Sequence, residues 1–151
     1  MGEVLGRQDQ AEAQIRAFAA GLAALAPPPG PQPRAATYAA NGYTAGPASL
    51  SGGILAAAGL ANVAAELGLS GGGQLALEQL AMAGPDLVIL PQPYPGASQA
   101  EDLLRHPALL DLIAAAGVAP MTDRDWVCGT PHVLTAIAAM AETRAAWQAG
   151  R

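Results

Sequence analysis

A chain of 151 residues suits one domain with a core of its own, and 52% of this one is hydrophobic. Only 13% is charged, and the net charge is −5, so nothing in the balance draws the chain to nucleic acid or to an anionic membrane surface. A single cysteine, Cys128, excludes an internal disulfide and any multi-cysteine zinc site.

The first predicted element is a helix over residues 7–26. Ala11, Ile15, Phe18, Leu22 and Leu25 recur at spacings of four, three, four and three, which is one apolar stripe. Asp9 and Glu12 lie near its start, where the helix dipole favours them. Pro27, Pro28 and Pro29 stop it, and the run to Pro33 is a stiff linker. Residues 35–40 read as a short buried strand, followed by a loop over 41–49. A second helix spans 50–58, with Ser49 or Ser51 as its cap and Gly59 at its end. Residues 60–69 are ambiguous between helix and strand. Gly71, Gly72 and Gly73 break the chain before a short helix over 75–83, closed by Gly84 and Pro85.

The clearest strand is 86–90, where Leu87, Val88, Ile89 and Leu90 are consecutive, as in a parallel strand covered on both faces. A proline-rich loop over 91–96 leaves it. Helical pattern returns over 98–105 and 107–116, and 117–121 is a third strand. Thr130 and Pro131 open the last helix, with Val133, Ile137 and Met140 on its buried face and Trp147 near its end. Strands alternating with helices predict an α/β fold, a three-layer lobe around a short, mostly parallel sheet. Ligands of such sheets bind in the loops beyond the carboxyl ends of the strands, here 41–49, 91–97 and 122–129. The longest apolar run, 113–121, is interrupted by Gly117 and Pro120, so no bilayer span is expected. The first residues show no basic region leading into an apolar core, so no signal peptide is expected in this chain.

Chemistry-bearing residues are few. His106 and His132 have no acidic partners at ligand spacing and read as capping or solvent-facing residues, so no metal site and no resident cofactor are expected. Cys128 with His132 as base is the one conceivable nucleophile pair, but no third group orients the histidine, and Cys128 reads as structural. Ser49 and Ser51 read as caps rather than nucleophiles, and Gly71 to Gly73 is followed by no lysine and makes no phosphate loop. No catalytic residue is assigned. In a chain with 4% aromatics, Tyr43, Tyr94 and Trp126 all fall in the loops beyond strand ends. Each either packs beneath its loop or contributes to a flat, partly apolar binding surface. Glu78 reads as a carboxylate near a positive helix end.

Four stretches carry a resemblance: the opening helix; Asn41-Gly42-Tyr43-Thr44-Ala45-Gly46-Pro47 with Ala58-Gly59-Leu60-Ala61-Asn62-Val63; Leu77-Glu78-Gln79-Leu80 with Ala83-Gly84-Pro85-Asp86-Leu87-Val88-Ile89-Leu90; and Asp125-Trp126-Val127-Cys128-Gly129-Thr130-Pro131. In order and spacing they resemble the C-terminal lobe of the periplasmic substrate-binding proteins of ABC importers, of the siderophore and cobalamin type. The resemblance implies that residues 1–33 are the end of an interlobe helix and its linker, and that 34–151 are the ligand-binding lobe. It implies capture of a metal chelate such as a ferric siderophore, haem or cobalamin, and delivery to the transmembrane subunits of an ABC permease in the periplasm, without membrane insertion. Tyr43 and Thr44, Tyr94 and Trp126 would face the ligand, and Glu78 would dock onto permease arginines. The family's other lobe has no counterpart in this chain, and glycines stand where the family often carries an aromatic residue or arginine. Two other readings remain: a module that binds partners through the opening helix, and a small enzyme using Cys128.

Overall fold

The computed structural model of the protein describes residues 2–93, 95, 96 and 98–150. In chain order its elements begin with α1 (Gln8–Ala24), β1 (Arg34–Thr37), β2 (Tyr43–Thr44), α2 (Leu50–Ala57), β3 (Ala61–Asn62), α3 (Val63–Glu66), β4 (Gly73–Gln74) and α4 (Leu77–Ala83). They continue with β5 (Leu87–Pro91), a 3-10 helix Gln99–Arg105, α5 (Pro107–Ala115), β6 (Gly117–Met121), α6 (Asp123–Trp126) and α7 (Val133–Ala149).

Side chains leave a strand alternately on its two faces, and the short apolar strands here fill both. The main sheet has the order β3-β1-β5-β6, every pair parallel, with Ala36 opposite Val88 and Val88 opposite Val118. Ala35, Leu87, Ile89 and Ala119 point to one face, where Ile54 and Leu55 of α2, Trp126 of α6, and Ile137 and Met140 of α7 complete a core. Ala36, Tyr38 and Val88 point to the other, against Val63, Leu80 of α4 and Leu109 of α5. The layers are therefore helix, sheet, helix, as the alternating pattern predicts. Strand β5 is central and its residues Leu87, Val88 and Ile89 are buried, as four consecutive apolar residues require. At the amino ends of the strands, Arg34 grips Glu66 with two guanidinium bonds and donates a third to the Gly84 carbonyl at 3.0 Å. Its backbone N–H reaches Asp86 at 2.8 Å.

Local chemistry explains most boundaries. Ser49 caps α2, its Oγ accepting from the Gly52 N–H at 3.0 Å. The ambiguous segment resolves into edge strand β3 and then α3, because the Asn62 side chain caps α3 by accepting from the Ala64 N–H at 2.9 Å. The last helix starts at Val133 rather than at the expected Thr130 cap. Thr130 instead accepts from the Val133 N–H at 3.0 Å and closes a turn.

The opening helix forms where its periodicity places it, but its apolar stripe stays largely uncovered. No residue of α1 is buried, and Ile15 and Leu22 are 67% and 37% exposed. A helix that meets a single neighbouring helix buries only the strip along their line of contact. Here that line passes Gly21, whose missing side chain leaves room for Leu134 of α7, and reaches half-buried Leu25. The linker behind it is held by α7: Arg144 donates to the carbonyls of Pro28 at 3.0 Å and Pro31 at 3.3 Å, and Gln148 donates to Pro31 at 3.1 Å. Among the described residues, no helix is long and apolar enough to cross a membrane.

Candidate functional site

The chain leaves the carboxyl end of β1 through Tyr38 and turns at Asn41 and Gly42, both left-handed, with φ of 55° and 70°. Asparagine tolerates that region because its short amide bonds locally. Gly42 is required for a second reason: a Cβ there would lie 2.7 Å from the Leu75 carbonyl oxygen. Tyr38 is buried beneath the turn, and its hydroxyl donates to the Leu75 carbonyl at 3.2 Å. Burial pushes the Tyr38 phenol up, and the negative charge of Glu78 adds to the shift.

Beyond the turn, β2 pairs antiparallel with β4, Tyr43 opposite Gln74 and Thr44 opposite Gly73. Directly opposed residues share a face. Tyr43 and Gln74 therefore stand side by side, and the Tyr43 ring is about half exposed. Thr44, one residue on, points inward and is fully buried, its hydroxyl without a hydrogen-bond partner. The structure thus withdraws Thr44 from the ligand-facing surface where the sequence reading put it, through the alternation of a strand. The segment is pinned at Gly46, where a Cβ would overlap the carbonyl oxygens of Leu69 and Ser70.

A concavity of about 490 Å³ opens at this end of the sheet. Among the described residues its polar wall is made of the carboxamides Asn41, Gln74, Gln79 and Gln99, over a floor that includes Leu75 and Leu103. Its size is within the range of small-molecule sites. Glu78 is exposed in the first turn of α4, next in sequence to Gln79. The sequence reading missed these amides, because the wall is assembled from three separate stretches and no spacing links them. The signal available was that uncharged amides recur in or beside the segments that follow the strands.

Trp126 is not part of this face. It is 4% exposed and packs in the core with Val133, Ala136 and Ile137. The single turn α6 points Asp123 and Arg124 to solvent and its indole inward, held by a Thr122 hydroxyl bond to Asp125 at 2.9 Å. Tyr94 lies outside the described residues. His106 is a capping residue, its Nδ1 accepting from the Ala108 N–H at 3.2 Å. His132 is exposed with its Nδ1 3.4 Å from the Arg124 guanidinium, and Cys128 is an exposed free thiol rather than a packed one. Among the described residues, no group of three histidine, cysteine or acidic side chains is placed to hold a metal.

In fold, the chain matches one lobe of the periplasmic binding proteins that serve ABC importers. A periplasmic heme-binding protein, RhuT, from Roseiflexus sp. RS-1 superposes with a TM-score of 0.74 at 21% identity, over 95% of this chain and 60% of its own. A component of an ABC-type Fe3+-hydroxamate transport system from Saccharomonospora viridis gives 0.71 at 22%, over 94% and 51%. The molybdate periplasmic binding protein MolA of a Haemophilus influenzae ABC transporter gives 0.67 at 21%, over 98% and 47%. The chain therefore spans about half to three fifths of the length of these proteins. By sequence, no protein-family profile and no curated protein matches it.

Proposed function

We propose that this chain is a ligand-binding lobe of an ABC-importer substrate-binding protein. In this reading it captures a metal chelate, such as a ferric siderophore, haem or cobalamin, and presents it to a permease in the periplasm. The observation that carries the reading is the concavity at the carboxyl ends of the strands, one of whose wall residues, Gln74, is paired across the β2–β4 ladder with the exposed Tyr43. Ligands of parallel sheets bind at that end. Solved proteins of the same fold bind heme, are part of a ferric hydroxamate transport system, or bind molybdate. Residues 1–33 act as the interlobe arm and its linker, and 34–151 as the lobe. Glu78, exposed at the same end, is the docking carboxylate for permease arginines, since a carboxylate and a guanidinium fork match in geometry and charge. The lobe works by binding and release and performs no bond-breaking step.

Calorimetric titration of the chain with hemin, a ferric trihydroxamate, cobalamin and molybdate tests this. At least one should bind, weakly because a single wall leaves much of a ligand in water. Tyr43→Ala should weaken it about tenfold, the worth of one aromatic contact of roughly 1.4 kcal/mol. Failure of all four at millimolar concentration, or an unchanged affinity in the variant, would overturn the reading.

A further inference from the structure

Among the described residues, none that lines the concavity has an ionisable side chain. We infer that the ligand this lobe takes is an uncharged or cationic chelate bearing amide or hydroxamate groups, read by Asn41, Gln74, Gln79 and Gln99. This rests on the ligand-lobe reading above and names the substrate class of that same site.

A carboxamide offers two N–H donors and an acceptor oxygen side by side, so it pairs with another amide through matched donor and acceptor. Four of them around an apolar floor, of which Gln79 offers its N–H donors because its oxygen accepts from the Ala76 N–H at 3.4 Å, suit a ligand that alternates amide groups with methylene arms. Such a wall gives an ionised oxygen only neutral donors, whereas a guanidinium fork would give charge-assisted bonds.

The surrounding charges point the same way. In the segments that follow β4, β5 and β6 at this end, the carboxylates are Glu78, Glu101, Asp102, Asp123 and Asp125. Against these five stand two guanidiniums, Arg105 and Arg124, a net of −3 with the histidines neutral. Arg124 already lies 3.9 Å from Asp125 and 3.4 Å from His132. Arg34 is committed to Glu66 at the opposite end of the sheet, and Arg144 to the linker. An oxyanion, a haem with two propionates or a tris-catecholate iron complex would bring negative charge into a negative field and find no cation among the described residues of the wall. Three hydroxamates carry one negative charge each and neutralise a ferric ion, so their complex enters without that penalty, and a pendant ammonium would be attracted.

Nitrogen-15 NMR titration of the intact chain with diamagnetic gallium complexes decides the matter. The probes are a neutral trihydroxamate, a trihydroxamate with a pendant ammonium, and an anionic tris-catecholate. The first two should shift the side-chain amide signals of Asn41, Gln74, Gln79 and Gln99, with a Kd at least about tenfold below that of the third. Gln99→Lys, at an exposed position, should narrow or reverse that order; the wild-type series stands without the variant if it does not fold. Tris-catecholate binding as tight as the others, or chelate binding that moves Tyr43 but none of the four amides, would overturn the inferred class and leave the ligand-lobe reading in place. No binding of any of the three, with hemin and cobalamin also failing, would overturn both.

Discussion

Arg144 should behave as a clasp on the linker rather than as a pillar of the core. Its side chain is 3% exposed, it donates to two proline carbonyls, and its buried Nε has no partner. Each charge-assisted bond is worth about 1.5–3 kcal/mol, and the longer one belongs at the low end. Against them stand the unsatisfied N–H, costing about 1–3 kcal/mol, and the desolvation of a cation whose hydrogen bonds go to carbonyls and not to a carboxylate. The terms nearly cancel. Arg144→Met keeps much of the aliphatic stem, and the exposed Pro28 and Pro31 can return their carbonyls to water. That variant should therefore lie within about 1 kcal/mol of wild type, a Tm change of about 3 °C. Arg144→Ala also removes the stem and should cost about 2–4 kcal/mol. With Gln148→Ala added to remove the remaining bond to the Pro31 carbonyl, the linker should be released in both. Backbone order parameters at Gly30 and Gln32 should fall from about 0.85 to below about 0.6. An Arg144→Met protein that loses more than about 3 kcal/mol while Gly30 and Gln32 stay ordered would refute the reasoning and make the guanidinium a core element.

Gly46→Ala should cost more than about 3 kcal/mol, because a Cβ there overlaps two backbone carbonyls that no rotamer change can move; chemical denaturation reads this directly. The Arg34 guanidinium holds the Glu66 carboxyl below its usual range, chiefly through their hydrogen bond. A lowered folded-state pKa means stability that is present above the unfolded carboxylate pKa and lost as pH falls through the folded one. Glu66→Gln should cost at most about 1 kcal/mol at pH 7, because both side chains are more than a third exposed, and denaturation curves of variant and wild type should converge in acid. Glu78→Gln should leave the affinity for a neutral chelate near wild type while weakening stimulation of the cognate importer's ATPase in proteoliposomes; full stimulation would remove Glu78 from the docking surface.

The sequence was most legible where one segment carried its own signal. Leu87 to Leu90 announced a central strand because four apolar residues in a row have nowhere else to go. Ser49 announced a cap because its hydroxyl is chemically suited to one N–H. Trp126 was misplaced because α6 is one turn long, and one turn has no periodicity from which to read a buried face. Thr44 was misplaced because its strand has two residues, too few to show which way the alternation starts. Periodicity located α1, yet it cannot say how much of a stripe the neighbours will cover, and Ile15 and Leu22 stay out. The carboxamide wall needs the fold itself, since only the approach of the Asn41 turn, the start of α4 and the Gln99 segment creates it.

The central claim is that this lobe binds its ligand at the carboxyl ends of the strands. Hydrogen–deuterium exchange with and without a saturating chelate from the calorimetric series tests it most directly. Protection should appear over residues 41–47, 73–79 and 98–106, with little change at 84–86 and 112–117, at the amino ends of the strands. Protection confined to those amino ends, or spread along α1 alone, would contradict the account.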